Sequence, residues 1–510
     1  MPKVYLLGAG PGDPGLLTLK AKAVLETADV VVYDYLANKS FLDFCRPDAV
    51  IHYVGKKGGD HTLPQDQINR LLVEKAKEGK VVARLKGGDP YVFGRGAEEA
   101  EELLDAGVSF EVVPGVTSAV AAPAYAGIPL THRAYASSVS FITGHEDPTK
   151  PGSAHDWDAL AKSASTLVFF MGVKNLPEIA RNLMAAGRPG TTPAALVRWG
   201  TTCRHRSLAA DLASIAEKAQ AAGFAAPSLL VVGEVVRLRD RLGWFEKRPL
   251  LGKGVVVTRS REQASDLVRL LSDQGACCYE FPSIAIAPLA DDAPVRRAGR
   301  ELASFDWVIF TSANGVAHFF AALAAEGLDA RTFGQARVAA IGPATEKALG
   351  ERGIRADFVP ERFVAESVVE GLLGLGVAGK RVLIPRARQA REVLPEKLAE
   401  AGAEVTVLPV YETRPADQDP GEILDAMRAG EIGYVTFTSS STVDNFFAKI
   451  PPETFREFTP GVQCAVIGPI TARTLANYGF TPDVSAEEFT IPALARAIAD
   501  HAARENEIRP

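Results

Sequence analysis

Four ionisable side chains crowd one glycine-rich run, Arg84-Leu-Lys-Gly-Gly-Asp-Pro-Tyr-Val-Phe-Gly-Arg-Gly96. Gly87 and Gly88 let bare backbone approach a polar cofactor, and the Asp89 carboxylate can accept from an amine or hydroxyl. Arg84, Lys86 and Arg95 can meet an anionic partner. A second glycine-rich turn, Gly8-Ala-Gly-Pro-Gly-Asp-Pro14, follows the apolar run 4–7. It is not a dinucleotide fingerprint, because Asp13 stands where the third glycine is needed and Pro11 lacks a backbone donor. It reads as a rigid turn that lets a ligand come close.

Both turns sit between an apolar run and a helical pattern, and open α/β sheets hold ligands at that place. Strand-like runs at 4–7, 30–33, 81–85, 110–113, 139–143, 166–171, 194–197 and 229–233 alternate with helical patterns, which predicts α/β architecture. The 510 residues, 47% hydrophobic and 23% charged, suit a soluble protein of several domains. A net charge of −6 argues against a nucleic-acid partner. No apolar run is long enough to span a membrane, and the first strand begins so early that no signal peptide is expected, so cytoplasm is the expected location. Cys45, Cys203, Cys277, Cys278 and Cys464 contain no C-x-x-C pair, and vicinal Cys277 and Cys278 read as buried strand residues. Neither a disulfide nor a zinc site is expected. His52, His61, His132, His145 and His155 lack ligand spacing, so no metal is expected.

A charged stretch rich in turn residues ends near 253, which places a junction at about 247–253. Beyond it the chain repeats. Val256-Val-Thr-Arg259 matches Leu383-Ile-Pro-Arg386, Phe281-Pro282 matches Leu408-Pro409, Phe310-Thr-Ser312 matches Phe437-Thr-Ser439, and Ile341-Gly-Pro343 matches Ile467-Gly-Pro469, at offsets of 127, 127, 127 and 126. A unit of that size is a small α/β lobe rather than a solenoid repeat, and two lobes leave a cleft for a mid-sized ligand.

The first 245 residues resemble uroporphyrinogen-III C-methyltransferase, of the tetrapyrrole methylase family. The resemblance runs through both glycine-rich turns, Asp29-Val-Val-Val-Tyr-Asp-Tyr-Leu36, Val54-Gly-Lys56, Val113-Pro-Gly-Val-Thr-Ser118, Gly127-Ile-Pro-Leu-Thr-His-Arg133, Phe170-Met-Gly172, Gly200-Thr-Thr202 and Val231-Val-Gly233. It implies a two-subdomain methylase fold, a homodimer through this half, and S-adenosyl-L-methionine as methyl donor, released as S-adenosyl-L-homocysteine. It places Pro11, Gly87, Gly88, Asp89, Val92, Thr117, Ser118, Met171 and Gly200 at the donor, and Asp34 and Lys56 at proton transfer. The implied substrate carries eight carboxylates, which makes Arg95 a candidate base or substrate clamp; Arg133, Arg84 and Lys57 are weaker candidates for substrate contact.

Residues 254–505 resemble uroporphyrinogen-III synthase, carried by Val257-Thr-Arg259, Phe310-Thr-Ser-Ala-Asn-Gly-Val316, Ile341-Gly-Pro-Ala-Thr345, Ile384-Pro-Arg386, Val410-Tyr-Glu-Thr413, Phe437-Thr-Ser-Ser-Ser441 and Ile467-Gly-Pro-Ile-Thr471. That family is two-lobed with a discontinuous first lobe, which implies lobes at roughly 254–286 plus 412–505, and 287–411. Tyr411 matches the position that assists water loss, with interlobe packing as an equal alternative. Ser312, Ser439 and Thr471 are candidate substrate contacts that can also cap helices. The expectation is therefore a methyltransferase at 1–246, a linker at 247–253 and a synthase at 254–505, serving siroheme or cobalamin synthesis, with tetrapyrroles as small-molecule partners and neither nucleic acid nor membrane. A methylase for RNA or protein, fused to a two-lobed small-molecule sensor, is the rival reading.

Overall fold

Alternating apolar strands and helices build four five-stranded sheets in the computed structural model, which describes residues 3–55, 63–145, 155–259, 261–282, 284–360, 365–390, 392–416 and 418–508. The first sheet contains β1 (Lys3–Gly8), β2 (Val30–Tyr33), β3 (Val50–Tyr53), β4 (Val82–Lys86) and β5 (Ser109–Val113), in the order β3-β2-β4-β1-β5. All its pairings are parallel. Helices cover both faces, so the central strands are buried on both sides rather than alternating, and β4 carries Arg84 and Lys86 within its buried run. The second sheet contains β6 (Val139–Thr143), β7 (Thr166–Phe170), β8 (Pro193–Arg198), β9 (Arg206–Asp211) and β10 (Ser228–Val232), in the order β6-β7-β10-β8-β9. It is mixed: β6 and β7 are parallel and the other pairings antiparallel. The sequence reading missed β3 and β9. Both are edge strands, and β9 shows no buried residue, so neither carries the apolar run that marks a central strand.

In the second half β11 (Gly254–Val257) and β12 (Cys277–Glu280) open one sheet. The chain then builds another from β13 (Ile284–Pro288), β14 (Trp307–Phe310), β15 (Arg337–Ala340), β16 (Arg381–Ala387) and β17 (Glu404–Pro415). It returns to the first with β18 (Ile432–Phe437), β19 (Gln463–Val466) and β20 (Val484–Ser485). The orders are β12-β11-β18-β19-β20 and β13-β17-β16-β14-β15. Strands β11, β14 and β15 of the first repeat correspond to β16, β18 and β19 of the second. Each sheet therefore joins the opening strands of one repeat to the closing strands of the other. Because β13 pairs with the end of β17, the lobes divide between 280 and 284 and between 415 and 432, a few residues from the expected positions.

The junction is packed rather than free. Trp244 Nε1 donates to Ala124 O (3.2 Å), and the Trp244 and Phe245 rings lie 5.0 and 4.8 Å from Tyr125. Gly252 N donates to Cys203 O (3.0 Å), and Lys253 pairs with Glu505 (3.0 Å). Glu431 accepts from Arg204 (3.2 Å) and from the Tyr279 hydroxyl (2.7 Å). Cys203 and Cys277 form a disulfide across this joint, with their Cα atoms 5.2 Å apart. That corrects the expectation of no disulfide. The partners are 74 residues apart and belong to different halves, so spacing could not reveal them. Cys278, next in the chain, keeps a free thiol pushed up to about 11 by burial. No helix among the described residues is long and apolar enough to cross a membrane.

Non-reducing peptide mapping is expected to recover the Cys203 and Cys277 peptides as one linked species. Loss of the link through Cys203→Ser should lower Tm, through the loss of up to about 4 kcal/mol of loop-closure free energy. Separate peptides with an unchanged Tm would refute the bond.

Candidate active sites

In the first half the loops after β1, β4 and β5 meet in one place. Gly10 and Gly88 exchange two backbone hydrogen bonds of 3.1 and 2.7 Å. A Cβ on Gly8 would lie 2.3 Å from Gly115 N and 2.8 Å from Gly88 O, so only glycine permits this approach. Gly88 is different: its φ is +70°, and the space where a Cβ would point is open, with Ser118 N the nearest atom at 3.8 Å. That is a cradle lined by backbone. Asp89 holds it in shape. One oxygen accepts from Tyr91 N (2.8 Å) and the other from Gly115 N (3.1 Å). The carboxylate expected to face a ligand thus spends part of its capacity clasping two loops together.

The second sheet supplies the opposite wall. Asp13 N donates to the Thr201 hydroxyl (3.1 Å), and the Tyr125 hydroxyl donates to Asp13 Oδ2 (2.5 Å). Phe93 packs on Phe170 (ring centroids 4.9 Å apart) and Tyr35 on Trp199 (5.8 Å). The structure therefore brings together Pro11, Gly87, Gly88, Asp89, Val92, Thr117, Ser118, Met171 and Gly200 on loops that touch one another. Thr117 caps the helix Ser118–Tyr125. Among the described residues, every non-glycine residue with positive φ lies on these loops: Phe93, Arg95, Met171, Trp199 and Thr201. Each costs on the order of 1 kcal/mol, and such strain concentrates at ligand clamps. The sequence reading missed Phe93, Trp199 and Thr201 as cleft residues, since left-handed backbone at such residues has no sequence signal, and it missed Tyr35, whose partner Trp199 is distant in the chain.

Asp34, just after β2, has its side chain 28% exposed. Its Oδ2 accepts from Arg84 Nη2 and its Oδ1 from Leu36 N, both at 3.2 Å. Arg95 forks onto Glu98 (2.9 and 2.6 Å). The Glu98 hydrogen bond raises its pKa further, so Arg95 keeps its proton. This corrects the base alternative and leaves the clamp. Arg133 is exposed. Lys56 and Lys57 lie outside the described residues.

In the second half the matched Phe-Thr-Ser turns adopt matched geometry. Ser312 (φ −163°) caps the helix Ala313–Ala325, accepting from Gly315 N (3.0 Å). Ser439 (φ −165°) caps Ser440–Lys449, accepting from Thr442 N (3.3 Å). Tyr411 is buried, its hydroxyl 3.2 Å from the Ser312 hydroxyl and its ring stacked on His318 at 5.4 Å. Two expected residues are thus joined, and His318 is added. Thr471 is buried on the helix face that also carries Leu475 of the lobe core. That corrects its expected role as a substrate contact. Thr474, one turn on, instead donates to Ser440 Oγ (2.8 Å), tying the middle of its helix to the start of Ser440–Lys449.

Residues 3–216 match the family described as Tetrapyrrole (Corrin/Porphyrin) Methylases, and residues 265–496 match Uroporphyrinogen-III synthase HemD. A "Porphyrin biosynthesis protein HemD" of Ruminiclostridium josui is 37% identical over 96% of both chains. The chain belongs to the fused uroporphyrinogen-III C-methyltransferase and uroporphyrinogen-III synthase family. A Bacillus subtilis protein named uroporphyrinogen-III C-methyltransferase is 43% identical over 69% of this chain and 71% of its own. The methyltransferase half alone is similar to an S-adenosyl-L-methionine-dependent uroporphyrinogen III methyltransferase of Methanosarcina barkeri, 55% identical over 47% of this chain and 94% of that protein.

The methyltransferase cradle fits such a donor: an open backbone concavity at strand ends, short hydroxyls at Thr117 and Ser118, and the exposed thioether of Met171. Gly88→Ala is expected to fold, at a cost of about 1–2 kcal/mol for the left-handed backbone, and to weaken S-adenosyl-L-homocysteine binding at least tenfold in a calorimetric titration. Native affinity in Gly88→Ala would remove this cradle from the donor site.

Proposed function

We propose that the chain catalyses two successive steps: closure of hydroxymethylbilane to uroporphyrinogen III, then two methylations to precorrin-2. The observation that carries this reading is the match to a fused relative along 96% of both chains. The product would enter siroheme or cobalamin synthesis, and the methyltransferase half is proposed to pair with a second copy.

The bound donor supplies an already activated methyl group as a sulfonium, so the protein must mainly position the two reactants. Pro11, Gly87, Gly88, Val92, Thr117, Ser118, Met171 and Gly200 would hold it, with Asp89 keeping their loops together. Each methyl transfer to a substituted pyrrole carbon must be balanced by loss of a proton from elsewhere on the macrocycle, and the Asp34 carboxylate at the cleft is the proposed acceptor. Lys56 is proposed to assist it. Arg95 and Arg133 would grip acetate and propionate groups from the surface.

In the synthase half the hydroxymethyl C–O bond breaks with loss of water. Tyr411 is the proposed proton donor to that oxygen, its hydroxyl oriented by Ser312. Ser312 and Ser439 are proposed to hold side-chain carboxylates while the last ring inverts and the macrocycle closes.

Incubating the full chain with hydroxymethylbilane and S-adenosyl-L-methionine is expected to yield a product two methyl groups heavier than uroporphyrinogen III. Formation of uroporphyrinogen I alone would refute the synthase assignment. Tyr411→Phe should slow closure roughly tenfold, the cost of one hydrogen bond to a developing charge, and raise the share of the type I isomer. An unchanged rate would remove Tyr411 from the mechanism.

A further inference from the structure

Under the donor loops lies a set of charges that donor and substrate contacts do not account for. The Glu99 side chain is 0% exposed, Arg84 3% and Lys86 5%, while Asp34 reaches the cleft. Three donors converge on a single Glu99 oxygen: Lys86 Nζ (2.7 Å), Arg84 Nε (3.1 Å) and Gln65 Nε2 (3.1 Å). The other oxygen, Oε2, accepts nothing from the described residues. The same Arg84 guanidinium is anchored through Nη1 to Leu85 O (3.2 Å) and Val32 O (3.5 Å), and Nη2 reaches Asp34. One flat cation therefore holds Glu99 through Nε and Asp34 through Nη2.

We propose that Glu99 is a positioning residue for methyl transfer: it locks Arg84 in the orientation that aims Asp34 into the cleft, and it balances the second buried cation so that Asp34 stays basic enough to take the proton. The inference rests on the reading of Asp34 as proton acceptor.

The charge count supports it. Arg84 and Lys86 are two cations, Glu99 and Asp34 two anions. Neutralising Glu99 would leave Asp34 alone against both cations, and nearby positive charge favours the ionised form of a carboxylate, making it a poorer base. Burial, and after it the charge of Arg84, already pull the Lys86 pKa down against the opposing pull of Glu99. A buried ion set of this kind adds little to stability compared with apolar packing, so stability alone is a poor reason for it. Among the described residues Tyr33, Tyr35 and Tyr53 also lie about Asp34; Glu98, on the helix that carries Glu99, is committed to Arg95.

The test uses the full chain, with uroporphyrinogen III and S-adenosyl-L-methionine supplied directly, and reads kcat, KM and the pH profile. Glu99→Gln keeps the shape and removes the charge. It should lower kcat about tenfold, leave the donor KM unchanged, and move the acid limb of the kcat profile down by on the order of one pH unit. Glu99→Asp keeps the charge and should leave the limb in place while kcat falls through misorientation. If Glu99→Gln does not fold, Arg84→Lys keeps charge but loses the fork that holds both carboxylates, and should lower kcat with the limb unmoved. A loss of Tm with kcat and the pH profile of the folded fraction unchanged, in whichever of these variants folds, would make Glu99 merely structural and overturn the proposal. Asp34→Asn separates the two failures. If it leaves kcat intact, the reading of Asp34 fails; if it abolishes turnover while Glu99→Gln moves neither kcat nor the limb, only the Glu99 inference fails.

Discussion

Backbone contact between Gly8, Gly88 and Gly115 is the constraint on which the methyltransferase site depends. Three parallel strands end side by side, and the loops leaving them can touch only because no side chain stands between them. Once they touch, Asp89 can reach from one loop to the backbone of another and fix their spacing. The rest of the cleft follows from that fixed edge. Asp13 reaches Thr201, Phe93 reaches Phe170, and the residues with strained backbone are held by contacts on both sides. Strain of that kind persists only where the surroundings over-determine the conformation, as they do here.

The synthase half solves a related problem by duplication. Its matched turns place a serine after an apolar strand and let the hydroxyl cap the following helix. Each helix start then presents backbone donors and a small hydroxyl at the carboxyl end of a sheet, where anionic groups are favoured. The two copies differ in what surrounds them. At Ser312 the hydroxyl meets a buried tyrosine, whereas Ser439 belongs to a capping box and lies 2.9 Å from Ser441. Equivalent backbone has thus been given unequal chemistry, which an asymmetric ring closure requires.

The two halves also share an element. The turn after β8 carries Gly200 and two strained residues, Trp199 and Thr201, and two residues later Cys203 is bonded to the first strand pair of the synthase half. Arg204 continues the contact through Glu431. A displacement of the joint is therefore mechanically connected to the wall of the donor cleft, with only a few backbone bonds between them.

The α/β architecture and the repeat were legible in the sequence, because apolar runs alternating with helical patterns and a constant offset record burial and duplication directly. The residues proposed for the donor, with Tyr411 and Ser312, were singled out by the motifs that carry the two resemblances, and the fold brings Tyr411 and Ser312 together. The discontinuous lobe was implied by the resemblance to the synthase family. Three features were decided by tertiary structure alone. Cys203 finds Cys277 across 74 residues, since a disulfide depends on Cα separation in space. Thr471 turns to the core because its helix must bury the face it shares with Leu475. Glu99, which the sequence shows only as one of several acids opening a helix, ends fully buried between Arg84 and Lys86, because helical periodicity turns that position inward just where β4 brings two cations beneath the sheet.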